Sequence, residues 1–435
     1  MSEEFMVSIE KLVYGGDGLA HNGGRTVFVP FVLPGEEVRV AGKSHKKNLV
    51  WANPVEIAKP SASRIEPKCA HFKVCGGCQY QHIEASAQTQ FKLEILKETL
   101  TRLGGIRWED EIKLHTAAPY EYRNRAQWGV RSAMPRALGY FLPESSTIVP
   151  IDDCPVLSPL LSRTFHQLQE LMRSNSLPAQ IEEIEAFAGS ADQKLALNVA
   201  FRSFEQHPAA IIKFFREALP QLESLLIHDQ RKNKFELSGP GFLTHQAGGF
   251  NFQVNHLSFF QINRFLIEDL LHSVVLGKKG SLALDLYAGV GFFSLPLAKT
   301  FDRVISVDAN ESAIRDLRKN AEAAGVAVTS HNLHTEEFLK KFGEKPDLIV
   351  LDPPRSGLGQ FASAKLAELR SPDITYLSCD PSTLARDLAV FLQTGRMPAE
   401  AKPNAPRYEI KSIELFDLFP QTHHIETLVH LRLAP

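Results

Sequence analysis

Cys379 stands in the run YLSCDPSTLARDL, directly after an apolar stretch that reads as a strand and directly before Asp380-Pro381-Ser382, which reads as the start of a helix. A thiol at a helix N-terminus is favoured as the thiolate. Strand ends on one edge of an open sheet converge on the ligand crevice. The chemistry open to such a thiol is covalent nucleophilic catalysis, which needs a base nearby; the competing reading is a small buried apolar residue. The run FPQTHHIETLVHL offers Glu426 as that base, with His423 and His424 beside it. The same three residues equally read as a metal fragment or a polar edge strand.

The other cysteines, Cys69, Cys75, Cys78 and Cys154, form a set of four that leaves Cys379 over. An odd count in a reducing compartment argues against a disulfide framework. Four thiolates hold either tetrahedral zinc or a 4Fe–4S cluster, and spacing alone leaves both open.

A third group surrounds LALDLYAGVGFFSLPLA. A strand ends at Asp285-Leu286-Tyr287, and Gly289 and Gly291 turn the chain into a helix, where backbone comes close to a ligand. Asp308 ends the next strand, where an acid hydrogen-bonds ribose hydroxyls. The absence of a third glycine and the acid at the strand end favour S-adenosylmethionine over a dinucleotide. LIVLDPPRSGL places Asp352 at the end of a further strand, with a rigid proline turn after it.

The elements that must position these groups follow from the pattern. Short β-rich runs broken by Gly, Pro and Asp over residues 6–59 predict a small barrel. Ile83 to Leu103 predicts a helix ended by Gly104-Gly105. YRNRAQWGVR and ALGYFLP read as strands, and residues 157–174 and 207–218 as helices. From about residue 250, apolar runs alternate with helical ones, GFFSLPLAKTF among them, which predicts buried parallel strands in an open α/β sheet. IELFDLFP and HIETLVHLRL are expected at its antiparallel edge. Ser258-Phe-Phe-Gln261 also fits a capping box that starts a helix.

The formal charge of −2 does not advertise nucleic-acid binding. Any such contact must come from local patches: Lys43, His45, Lys46 and Lys47, or Arg123, Arg125 and Arg131 around Trp128. Solvated loops and an ordinary strand explain both patches equally. No apolar run is long enough for a membrane helix, and the acidic start lacks a signal peptide's order, so a cytoplasmic protein is expected.

In this order, DLYAGVGFFSLPLA, LDPPRSGL, YLSCDP and FPQTHHIETLVHL resemble the RNA 5-methyluridine methyltransferase family over essentially the whole chain. The resemblance implies an α/β fold: a Rossmann-like class I methyltransferase domain over residues 248–435, an OB-like β-barrel of the TRAM type over 1–60, and a mixed α+β domain over 61–247 holding the four-cysteine site. It implies Cys379 as nucleophile and Glu426 as base. It implies S-adenosylmethionine held by Gln261, Tyr287, Asp308 and Asp352, with Asn332 lining the pocket, and a 4Fe–4S cluster on Cys69, Cys75, Cys78 and Cys154. The substrate would be a uridine in RNA, 23S ribosomal RNA ahead of transfer RNA, and a monomer is expected. Asp380 departs from the family's usual Asn, and a carboxylate there raises a neighbouring thiol's pKa unless paired. Two other readings stand beside this one: amino-group methylation at the DPP turn, and a non-catalytic RNA-binding iron–sulfur protein.

Overall fold

The computed structural model describes residues 4–131, 136–142, 145–204, 206–394 and 407–435. The first sixty residues form a six-stranded sheet in the spatial order Glu4–Ser8, Glu37–Lys46, Leu49–Lys59, Arg25–Val29, Gly18–Asn22, Lys11–Leu12. Alternating valines (Val7, Val27, Val29, Val38, Val40) point into one small core, the period-two signature of a half-buried strand. Lys43, His45, Lys46 and Lys47 are exposed at the tip of its longest hairpin.

The central region is built on a seven-stranded sheet from Ile148–Pro150 to Lys234–Ser238. Helices Pro159–Arg173 and Pro208–Ala218 share its core. Each begins with Pro at its first turn, where the missing N–H costs nothing, behind a side-chain cap from Ser158 or His207. Of the predicted strand ALGYFLP, Ala137–Phe141 is strand, and Pro143 lies outside the described residues.

An eight-stranded sheet carries the chemistry. Strands Thr329–Asn332, Phe301–Asp308, Gly280–Leu286, Leu348–Leu351 and Asp373–Ser378 run parallel in that order. Glu426–Leu433 then pairs antiparallel with Asp373–Ser378, and Tyr408–Phe416 pairs antiparallel with it in turn. A short strand the sequence did not reveal, Lys113–His115, adds itself parallel outside them. The helix Ala85–Gly104 ends at Gly105 in the left-handed conformation and packs against the helix Pro381–Leu392.

Two local expectations are corrected. GFFSLPLAKTF is helical only over Ser294–Leu297; Pro296 cannot donate a helix bond, and Phe301 already belongs to the next strand. Ser258 caps no helix, because the helix that follows begins at Ile267. Its hydroxyl instead donates to Asp316 at 2.8 Å.

Candidate active site

Pairing of Asp373–Ser378 with Glu426–Leu433 sets Ser378 opposite Thr427. The residues just beyond, Cys379 and Glu426, therefore meet at one end of the sheet, although 47 positions apart in the chain. Asp352 leaves the neighbouring strand at the same end. The thiol feels all of these groups: burial, then Glu426 and Asp352, push its pKa up to about 12, against the pull of Arg355. The expected lowering by the helix N-terminus is thus overridden, because desolvation and two acids oppose one cation.

Asp380 answers the question its identity raised. Its carboxylate accepts from the backbone N–H of Ser382 at 2.8 Å and of Thr383 at 3.0 Å, so it is the N-cap of the helix that follows Cys379. Asn would make the same bonds through its amide oxygen.

Glu426 is almost completely buried. Burial first, then Asp352, holds its carboxyl protonated well above the usual carboxylate range, with Arg355 opposing. His423 and His424 stay neutral, lowered to about 4 and about 3 by burial. His423 Nδ1 lies 3.1 Å from Gln79 Oε1, and His424 Nε2 accepts from Arg355 at 3.2 Å. Among the described residues no three His, Cys, Asp or Glu side chains converge to hold one metal ion, which removes the metal-fragment reading of this run. Arg355, the cation of the site, was missed as a functional residue; its place directly after Asp-Pro-Pro was the available signal.

The cofactor turn lies one strand further on. Tyr287 adopts φ +64, a left-handed conformation that costs about 1–3 kcal/mol in a bulky residue and clusters at ligand sites. Gly289 opens on empty space, where an added Cβ would meet nothing within 4 Å. Asp308 accepts from the N–H of Gly289 at 2.8 Å and of Asn310 at 2.7 Å, which leaves lone pairs for further donors. Asn332 pairs with Asp308 across the strands and donates its amide to the Asp308 and Ala309 carbonyls, each at 3.0 Å. Gln261 is buried at the start of this region, its carbonyl accepting from Asn124 at 3.2 Å. Asp285 is fully buried, with one carboxylate oxygen bonded by Ser294 and the other, Oδ1, without a partner. Burial pushes Asp285 and Asp352 each up to about 7. A buried carboxylate oxygen left without a donor is a costly arrangement that a positive charge nearby would relieve.

Residues 84–433 match the family described as tRNA (Uracil-5-)-methyltransferase, and residues 2–41 match the TRAM domain. The chain belongs to this family of RNA uracil-C5 methyltransferases. The 23S rRNA (uracil(1939)-C(5))-methyltransferase RlmD of Alkalilimnicola ehrlichii is 30% identical, the match covering 98% of this chain and 96% of the relative. The protein of the same name from Halomonas elongata is 32% identical, over 97% of this chain and 88% of the relative. Among solved structures, the Pyrococcus abyssi tRNA (uracil-54, C5)-methyltransferase in complex with S-adenosyl-L-homocysteine is similar in fold, with a TM-score of 0.76 at 23% identity over 98% of this chain and 100% of that one. The fold of this methyltransferase is therefore α/β: a Rossmann-like C-terminal sheet, an N-terminal TRAM barrel and a mixed α+β centre.

In this methyltransferase the four remaining cysteines line one cavity of about 210 Å³, with Arg123, Tyr140 and Gln81 among its other walls. Burial, followed by the neighbouring thiols, pushes Cys78 up to about 11; burial and then Cys78 push Cys154 up to about 12. Backbone bonds from Gly76 to the Phe141 carbonyl and from Cys69 to the Gln81 side chain fix the loop. Single zinc draws four sulfurs to about 2.3 Å. As placed here, no three of these side chains stand together to hold one ion among the described residues.

The arginine–tryptophan reading of YRNRAQWGVR is corrected. Trp128 is fully buried in the central core against Phe165, its N–H donating to the Tyr140 hydroxyl at 3.1 Å, so no base can stack on it. Arg125 is occupied by Glu185 at 2.7 Å, the Ser258 carbonyl at 2.9 Å and the Phe187 ring. It buttresses the segment that presents Gln261, and Arg123 faces the cysteine cavity.

Proposed function

We propose that this enzyme forms 5-methyluridine in large-subunit ribosomal RNA, with Cys379 as nucleophile and Glu426 as base. The observation that carries this reading is the meeting of Cys379, Glu426 and Asp352 at the end of the sheet that also bears the cofactor turn. The ribosomal target rests on the similarity to the two RlmD proteins.

S-adenosylmethionine, when bound, supplies an electrophilic methyl group on a positively charged sulfur. Tyr287, Asp308, Gln261, Asn332 and Asp352 would hold it, the acids favouring its positive charge. The Cys379 thiolate adds to carbon 6 of the uracil, and the ring electrons move to make carbon 5 the nucleophile. Carbon 5 takes the methyl group as the carbon–sulfur bond of the donor breaks. Glu426 then removes the carbon-5 proton, and the electron pair left behind expels the thiolate from carbon 6. A carboxylate whose conjugate acid is this weak is a strong acceptor for that proton once it is ionised. Arg355 and the donor's positive charge both favour ionisation of Glu426 and of the thiol.

The four cysteines Cys69, Cys75, Cys78 and Cys154 fit a 4Fe–4S cluster better than one ion, because the cavity they line has room for it, with Arg123 as a cation among its walls. Methyl transfer moves no net electron, so the cluster's part is structural or RNA-orienting. None of the five cysteines forms a disulfide, which suits a reducing compartment. Every group the chemistry needs comes from one chain, so the working unit is taken as a monomer.

The direct test is mass mapping of 5-methyluridine in ribosomal and transfer RNA from cells lacking the protein. Loss of one modified position in the large-subunit RNA is expected. Loss confined to transfer RNA would overturn the target, and unchanged RNA would overturn the activity in these cells.

A further inference from the structure

The turn Tyr14–Gly18 leaves the N-terminal barrel and reaches the catalytic end of the methyltransferase sheet, in a place no motif of the active site announced. The Tyr14 ring meets the His423 ring edge-on, with centroids 5.7 Å apart. Tyr14 and Ser382, two residues beyond Asp380, line one pocket, and the phenol feels the Asp380 carboxylate, then the Cys379 sulfur and Arg355. Gly16 seats the turn. Its φ is +101, and a Cβ there would stand 3.2 Å from Gln79 Cβ and 3.5 Å from His423 Cβ. Gln79 in turn holds His423 through Nδ1 at 3.1 Å. On the far side, Lys11 of the barrel pairs with Glu98 at 2.6 Å, on the helix that packs against Pro381–Leu392. The barrel is thus fastened to both segments flanking the nucleophile, Asp380 with its helix and the His423–Glu426 run.

From this we propose that Tyr14 is a positioning residue for methyl transfer: its phenol donates to the Asp380 carboxylate, fixes the cap beside Cys379, and ties the thiol's placement to docking of the barrel. The inference rests on Cys379 being the nucleophile. Asp380 already accepts two backbone N–H groups through one oxygen, so a third donor on the same carboxylate restrains its remaining freedom. A barrel that only gripped RNA would contribute to affinity alone. A barrel that completes the active site contributes to the rate after RNA is bound.

The experiment uses the full chain, S-adenosylmethionine and a target RNA carrying 5-fluorouridine, whose carbon–fluorine bond blocks the final elimination and leaves protein joined to RNA. Wild type, Tyr14→Phe and Gly16→Ala are compared for RNA affinity by filter binding and for the rate of adduct formation at saturating RNA. Tyr14→Phe keeps the ring and its packing, so folding is preserved. A roughly tenfold slower rate with unchanged RNA affinity is expected for it, and a slower rate also for Gly16→Ala, which displaces the turn without removing the phenol. A Tyr14→Phe protein that reacts at the wild-type rate, or that loses only affinity, overturns the inference and leaves the nucleophile standing. Failure of the wild type itself to form any adduct overturns the role of Cys379, and this inference with it.

Discussion

The protein holds two sets of half-buried thiols whose acidities are displaced alike, by desolvation first in both and by different neighbours after it. Cys379 is pushed up to about 12 by burial and by the acids Glu426 and Asp352. Cys154 is pushed to the same value by burial and by another thiol, Cys78. Around Cys379 the excess negative charge is carboxylate, with a cationic partner in Arg355 and the acids of the cofactor turn beside it. In the second it is mostly sulfur, with the Asp153 carboxylate beside Cys69, around a cavity. On the proposed reading the neighbours decide which positive charge each thiol meets: a transient one where acids and a ligand turn meet, a resident one where four cysteines line one cavity. A displaced pKa alone does not separate a nucleophile from a ligand; the surrounding geometry does.

The comparison is broken most directly at Cys379. Cys379→Ala should lower methylation by at least about 10⁴-fold, with the cluster's iron content unchanged, measured by methyl transfer from labelled cofactor. Retained methylation would select the amino-group reading. Glu426→Gln should come next, slowing turnover by roughly 10²–10⁴-fold. Because only the last proton step is blocked, RNA should remain covalently attached to the protein, visible as a shifted band in a denaturing gel. A slow variant that accumulates no such species would place Glu426 elsewhere in the reaction.

Cys154→Ser should do the reverse of Cys379→Ala: iron and sulfide fall on anaerobic purification, and the central region loses thermal stability, while Cys379 still reacts with 5-fluorouridine RNA. Wild-type protein carrying only zinc would overturn the cluster assignment.

The smallest expected effect concerns pH. The folded-state pKa of Asp352 is raised to about 7 from a reference of 3.8. The folded state then holds a proton the unfolded chain has lost, so this stabilisation is full below pH 3.8 and is lost as pH rises through about 7. Asp352→Asn should remove that loss, raising the Tm of the cofactor-free protein at pH 8 by about 2 °C or more, while weakening cofactor binding. Parallel Tm–pH curves for variant and wild type would count against a strained acid in this crevice.

Much of the site was legible because strand ends and glycine turns leave local marks. Asp285, Tyr287, Asp308, Asp352 and Cys379 each lie at the carboxyl end of an apolar run, and the sheet's parallel order places such ends together. The halves of YRNRAQWGVR were not legible. A strand's alternation shows which residues share a face, but whether that face meets solvent or a core depends on the helix Pro159–Arg173, whose Phe165 covers Trp128.

The sequence by itself determined the parallel sheet, the barrel, the glycine turn and the place of Cys379 at a strand end, since these follow from periodicity and from residue types within short windows. The tertiary structure alone decided what surrounds that thiol. The pairing of Ser378 with Thr427 brings Glu426 beside Cys379, the capping geometry turns Asp380 toward its own helix, and the docking of a distant turn delivers Tyr14. These are contacts between segments hundreds of positions apart in part, and their energies depend on distance and burial, which no local pattern encodes.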